Sequence, residues 1–158
     1  MKISKGIIFT ILVFLISVSA KSQEKELIYN PDLDGMEQIN EAVKIAKAES
    51  KHVLIQVGGN WCPWCIRFHK YSNEDPEIRE LINNNYVVVK LNYSPENYNE
   101  VAMDFLEKPG RFGYPVFVVL DAQGKRLHTQ DSGLLEEDKG YSKKKVTGFL
   151  KGWMPGSF

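Results

Sequence analysis

The stretch His52-Val53-Leu54-Ile55-Gln56-Val57 runs through Gly58-Gly59-Asn60 straight into Trp61-Cys62-Pro63-Trp64-Cys65. A short apolar run rich in β-branched residues reads as a buried strand. Proline directly after Cys62 suits the first position of a helix, where its fixed φ fits and its missing N–H costs little. The chain's only two cysteines therefore stand where a strand gives way to a helix. They make a poor staple. Closing so small a ring removes chain entropy worth only about 2 kcal/mol, which strain can offset. Two sulfurs this close suit switching between dithiol and disulfide better than holding a fold together.

With Cys62 at the N-cap, Cys65 falls at the third helical position, and its backbone N–H can point back at the Cys62 sulfur. The unpaired amides and positive end of the helix stabilise a thiolate there. Cys62 is thus the expected nucleophile, its pKa lowered below that of a free thiol. Cys65, one turn in and better shielded, is the expected resolving thiol. Zinc binding is the weaker alternative: Cys62, Cys65 and His69 could supply three ligands, but no fourth has suitable spacing. Ile66 after Cys65 excludes haem attachment of the C-x-x-C-H kind.

The first twenty residues read as an export signal: Lys2 and Lys5, an apolar run from Ile7 to Ile16, then the small residues Val18-Ser19-Ala20. The apolar run is shorter than the roughly 20 residues a membrane span requires. No stable membrane anchor is expected after cleavage. Basic and acidic residues number 20 each, and loss of Lys2 and Lys5 leaves a slight acidic excess. That balance argues against nucleic acid as a partner. Outside the cytosol, in a periplasm by preference, a disulfide can form and persist.

The expected organisation is a signal over residues 1–20, a polar lead-in over 21–35 with a short strand at Leu27 to Tyr29, one domain over 36–153 and a tail over 154–158. Met36, Ile39, Val43 and Ala46 recur at helical spacing behind Asp34. A helix from the cysteine motif runs to about Tyr71, and Asp75-Pro76 caps another from Glu77 to Asn83. Tyr86 to Leu91 and Val116 to Leu120 read as further strands. Asn97 to Glu107 reads as a helix through Val101, Phe105 and Ala102. Asp121 to Gly124 turns the chain so that Lys125 to Thr129 can return antiparallel. A last helix spans Ser142 to Trp153, weakened at Gly148. This order fits an α/β domain with a mixed sheet.

Three features occur in one order: the strand ending in Gly58-Gly59-Asn60-Trp61-Cys62-Pro63-Trp64-Cys65, the later Val89-Lys90-Leu91-Asn92, and Gly113-Tyr114-Pro115 before the hairpin. In these the chain resembles the thioredoxin superfamily, particularly its exported members. The resemblance implies a thioredoxin-like fold with a mixed central β-sheet flanked by helices. It implies thiol–disulfide exchange with protein thiols or disulfides, as a reductase or isomerase, and a redox-partner protein such as a membrane reductase. No cofactor or metal is implied. It makes Pro115 the cis-proline facing the cysteines, gives Tyr114 the backbone contact with substrate, and sets Trp61, Pro63 and Trp64 around the sulfurs.

One position departs from the family pattern. Thioredoxin has a buried aspartate six residues before its first cysteine, and here that residue is Gln56, which cannot ionise. Lys90 matches the family's nearby lysine. With no acid–base pair there, water or another group handles the proton of the resolving thiol, or exchange is slower. The rival readings are a non-catalytic binding module on the same fold and, more remotely, a metal carrier.

Overall fold

β1 (His52–Gly58) is buried almost end to end because sheet partners flank it and helices cover both its faces. It runs parallel to β2 (Tyr86–Asn92) and antiparallel to β3 (Val116–Leu120), and β3 pairs antiparallel with β4 (Arg126–Asp131). The sheet order is β2-β1-β3-β4. The computed structural model describes residues 27–157; the expected signal and residues 21–26 of the lead-in lie outside the described residues. Among the described residues no helix is long and apolar enough to cross a membrane.

The two-residue period of the strands sorts the core into two layers. Val53, Ile55 and Val57 pack with Ile39, Ala42 and Ala46 of α1 (Gly35–Glu49) and with Ala102 and Met103 of α4 (Glu100–Phe105). Leu54 faces the other way, into Phe68 of α2 (Pro63–Glu74), Ile78 and Ile82 of α3 (Pro76–Asn85), and Val146, Phe149 and Leu150 of α5 (Lys143–Trp153). A small hairpin, β5 (Glu136–Glu137) with β6 (Gly140–Tyr141), adds Tyr141 to that layer.

Helix starts follow the capping residues. The Asp34 carboxylate accepts from the Glu37 N–H at 2.9 Å, and Asp75 accepts from the N–H groups of Glu77 and Ile78 with Pro76 beginning α3. At the hairpin, the Asp121 carboxylate accepts from the N–H groups of Gln123 and Lys125, and Gly124 takes φ +80°.

Two expectations are corrected. α4 is only six residues long and its buried stripe is shifted: Val101 and Phe105 are 73% and 47% exposed, while Ala102, as expected, is buried together with Met103 and Leu106. The cause is its entry. Asn99 sits in the left-handed region and is bolted in place, accepting from the Gly35 N–H at 2.7 Å and donating to the Asn92 carbonyl at 2.8 Å. That fixes the rotation of the following turn. Glu107 and Lys108, both at positive φ, end the helix region.

Leu27 to Tyr29 forms no strand. One side chain replaces the sheet partner: Asn60 accepts from the N–H groups of Ile28 and Tyr29 at 3.0 and 3.1 Å and donates to the Tyr29 carbonyl at 2.7 Å. The clamp lets Tyr29 be fully buried. Asn60→Ala deletes three bonds at once and is expected to cost about 2 kcal/mol in urea unfolding. A loss smaller than about 0.5 kcal/mol, the range of ordinary surface changes, would count against the clamp.

Candidate active site

Cys62 is the N-cap of α2, with extended backbone, and its Sγ accepts from the Cys65 N–H at 3.1 Å. The two residues are joined by a disulfide, with Cα atoms 5.2 Å apart. Cys65 is fully buried, and Cys62 retains 3% exposure at the helix tip. Access from outside is therefore to Cys62. A sulfur there meets the positive end of the helix and the inward N–H of Cys65, the environment that favours a thiolate once the pair is reduced.

Gly113-Tyr114-Pro115 arrives from the other side. The Tyr114–Pro115 peptide bond is cis, and Gly113 before it has φ +84°. Pro115 is buried. The β1–β3 register ends with Val57 opposite Val116, which brings Pro115 alongside Gly58. Tyr114 packs against the buried cluster of Tyr29, Cys62 and Cys65, and Trp64 packs there too.

The two tryptophans have different surroundings. Trp61 is half exposed; its Nε1 donates to the Tyr93 carbonyl at 2.7 Å and its ring meets Tyr114 edge-on at 5.5 Å. Tyr114 stacks on Tyr93, which leans on Tyr98, so Trp61 opens an aromatic ledge. Trp64 is held between the Tyr141 ring and the Arg67 guanidinium, and the Tyr141 hydroxyl donates to its carbonyl at 3.2 Å. Pro63 is exposed at the tip of α2. Open clefts of about 700 and 870 Å³ flank the ledge, the first bordered by Leu27 and Trp61, the second by Tyr93, Tyr98, Arg111 and Tyr114.

Beneath the cysteines lies Gln56, 1% exposed. Its Nε2 donates to the Tyr29 hydroxyl at 2.6 Å and to the Cys65 carbonyl at 3.1 Å, and its Oε1 accepts from Lys90 Nζ at 2.5 Å. The β1–β2 register, which pairs Gln56 with Lys90, sets that contact. Burial pulls the Lys90 ammonium down to about 8 and pushes the Tyr29 phenol far up, partly opposed by its Gln56 hydrogen bond.

Sequence reasoning missed Tyr29, Tyr93 and Tyr98. The one signal for Tyr29 was an apolar Leu27-Ile28-Tyr29 island in a polar lead-in. His69 lies on the wall of a cavity of about 220 Å³ that also reaches Gln56 and Lys90. Among the described residues no cluster of three or more His, Cys, Asp or Glu could hold a metal ion.

Comparison with known proteins agrees with this geometry. Residues 39–139 match the sequence pattern of the thioredoxin-like domain. The thiol:disulfide interchange protein DsbD of Salmonella typhi is 29% identical over 90 residues, and that of Escherichia coli K12 is 26% identical over 90. Each alignment covers 57% of this chain and only 15% of the relative, so the chain spans a small part of those proteins' length. Among solved structures, a disulphide isomerase from Xylella fastidiosa Temecula1 superposes with a TM-score of 0.70 at 26% identity, covering 80% of this chain and 95% of that one. With its match running from α1 to the β5–β6 hairpin and its cysteine pair opening α2 beside β3, the chain belongs to the thioredoxin-like domain family.

Proposed function

We propose that this chain is an exported thiol–disulfide oxidoreductase whose Cys62–Cys65 pair exchanges electrons with protein thiols and disulfides. The observation that carries the reading is the capped sulfur: Cys62 Sγ, at the tip of α2, already holds the Cys65 N–H that would stabilise its thiolate. The named relatives act on disulfides by their descriptions, the two DsbD proteins in interchange and the Xylella fastidiosa protein in isomerisation.

In the reducing direction the Cys62 thiolate attacks one sulfur of a substrate disulfide. A Cys62–substrate bond forms, and the other substrate sulfur leaves with the electron pair and takes a proton from water. Cys65 then gives up its proton and attacks the Cys62 sulfur. The Cys62–Cys65 bond closes, and the second substrate thiolate leaves and is protonated. The protein pair is oxidised by two electrons and the substrate is reduced by two. Tyr114 and the buried Pro115 present the backbone edge beside the pair, with Trp61, Pro63 and Trp64 framing the entry. Electrons are restored by another thiol protein, such as a membrane reductase. The signal at residues 1–20 would deliver the domain to the periplasm.

Reduction of insulin disulfides by wild type and by Cys62→Ser tests the proposal. Wild type is expected to turn over, and Cys62→Ser to fall to the uncatalysed rate. Equal activity in both, or none in either, would leave a docking module as the better account.

A further inference from the structure

Gln56 occupies the place of a carboxylate, so the proton chemistry of the inner sulfur needs another partner, and the structure brings one from the lead-in. The orientation of the Gln56 amide follows from its neighbours. Its Oε1 faces the Lys90 ammonium, which can only donate, and its Nε2 faces the Cys65 carbonyl, which can only accept. In the remaining contact, at 2.6 Å, the amide therefore donates and the Tyr29 oxygen accepts. The phenolic proton of Tyr29 is left to point elsewhere. Tyr29 shares its buried cluster with Cys62 and Cys65. Gly58 keeps the space between hydroxyl and sulfur open: a Cβ there would stand 3.0 Å from Tyr29 Oη and 2.4 Å from Cys65 Sγ.

We infer that Tyr29 serves the resolving step, its O–H donating to the Cys65 sulfur as that sulfur becomes a thiolate, with Gln56 and Lys90 as positioning residues behind it. The inference rests on the oxidoreductase reading above. In the disulfide state the Cys65 sulfur is neutral and a weak acceptor. Once the pair is opened it carries charge, and a hydrogen bond to a charged group is about twice as strong as a neutral one. Burial keeps Tyr29 protonated throughout, so it acts as a donor and not as a base. The Lys90 charge polarises the amide, which strengthens the donor chain toward the phenol. The other titratable or charged groups close by are His69 and Arg79, lining the Lys90 cavity from α2 and α3, Tyr141 from β6, and Tyr114, which packs on the cluster from the loop before β3 and whose phenol burial also pushes up.

The test is stopped-flow oxidation of the reduced full chain by dithiobis-nitrobenzoate, whose thiolate product is coloured. In the first phase Cys62 attacks the reagent, a mixed disulfide forms, and one aryl thiolate leaves. In the second, Cys65 attacks the Cys62 sulfur, the protein disulfide closes and the second aryl thiolate leaves; the two protein thiol protons go to solvent. Tyr29→Phe removes one oxygen. It is expected to leave the first phase unchanged, to slow the second about tenfold at neutral pH, and to move that phase's pH midpoint up by about one unit. At alkaline pH, with Cys65 ionised in both proteins, the two rates should converge. A structural defect would slow both phases and would not be repaired by pH. If Tyr29→Phe fails to fold, Gln56→Met carries the test with the same expected sign. A second phase that matches wild type at every pH overturns the Tyr29 role alone. A wild type that releases no aryl thiolate overturns the oxidoreductase reading and this inference with it.

Discussion

Cys65→Ser is expected to convert the protein from a turnover catalyst into a trap, with a covalent Cys62–substrate adduct accumulating to near stoichiometry. In the proposed mechanism the activation of Cys62 does not depend on the Cys65 side chain. It comes from the Cys65 backbone N–H and the open end of α2, both of which a serine retains. The first attack therefore proceeds. The second has no thiolate to perform it, and the mixed disulfide persists until an external thiol removes it. Intact-mass analysis after mixing with a disulfide-bonded peptide reads the adduct directly, and added reductant should dissolve it. The outcome that sinks this assignment is the reverse pattern, in which Cys62→Ser accumulates adduct and Cys65→Ser does not.

Gly58→Ala is expected to be among the most damaging small substitutions in the protein. The new methyl would lie 2.4 Å from Cys65 Sγ and 3.4 Å from its Cβ. Neither atom is the loose end of a flexible chain, since Cys65 is fully buried and tied into α2. Overpacking of this kind costs about 3 kcal/mol, and here the displaced atom is the inner sulfur of the disulfide. Gly148→Ala is the matched comparison. That glycine is exposed within α5, a Cβ there meets nothing within 4 Å, and the exchange should raise stability by about 1 kcal/mol. Urea midpoints should move in opposite directions for the two variants. An unchanged midpoint for Gly58→Ala would mean that the cysteine helix yields more easily than its packing indicates.

Features fixed by neighbours in the chain were legible in the sequence. The β-branched run before Gly58, the proline after Cys62 and the Asp75-Pro76 cap each act within a few residues, and each element begins where they direct. The sheet followed from the order of strands and helices. Features set by distant contacts were not legible. In α4, Val101 and Phe105 face outward and Met103 and Leu106 join Ala102 inside because Asn99, bonded to Gly35 and Asn92, sets the helix rotation. Both stripes carry apolar residues, so periodicity could not choose between them. Lys143 bridges Asp75 and Glu77, joining α5 to α3 across a long stretch of chain, a pairing that no local spacing announces. At the site, the cysteines and their helix were readable, whereas the Tyr29–Gln56 contact spans 27 positions and leaves no repeat or spacing for sequence reasoning to find.

The Asn60 clamp bears on where this protein can be cut. The family match begins at residue 39, after the lead-in, and ends at 139, before α5. A fragment trimmed to that match would lose Tyr29 from beneath the disulfide and strand the Asn60 amide without its three backbone bonds. It would also strip Val146, Phe149 and Leu150 from one face of the sheet. The smallest self-sufficient piece of this molecule is therefore wider than its family signature, and its first indispensable residues lie ahead of the first helix.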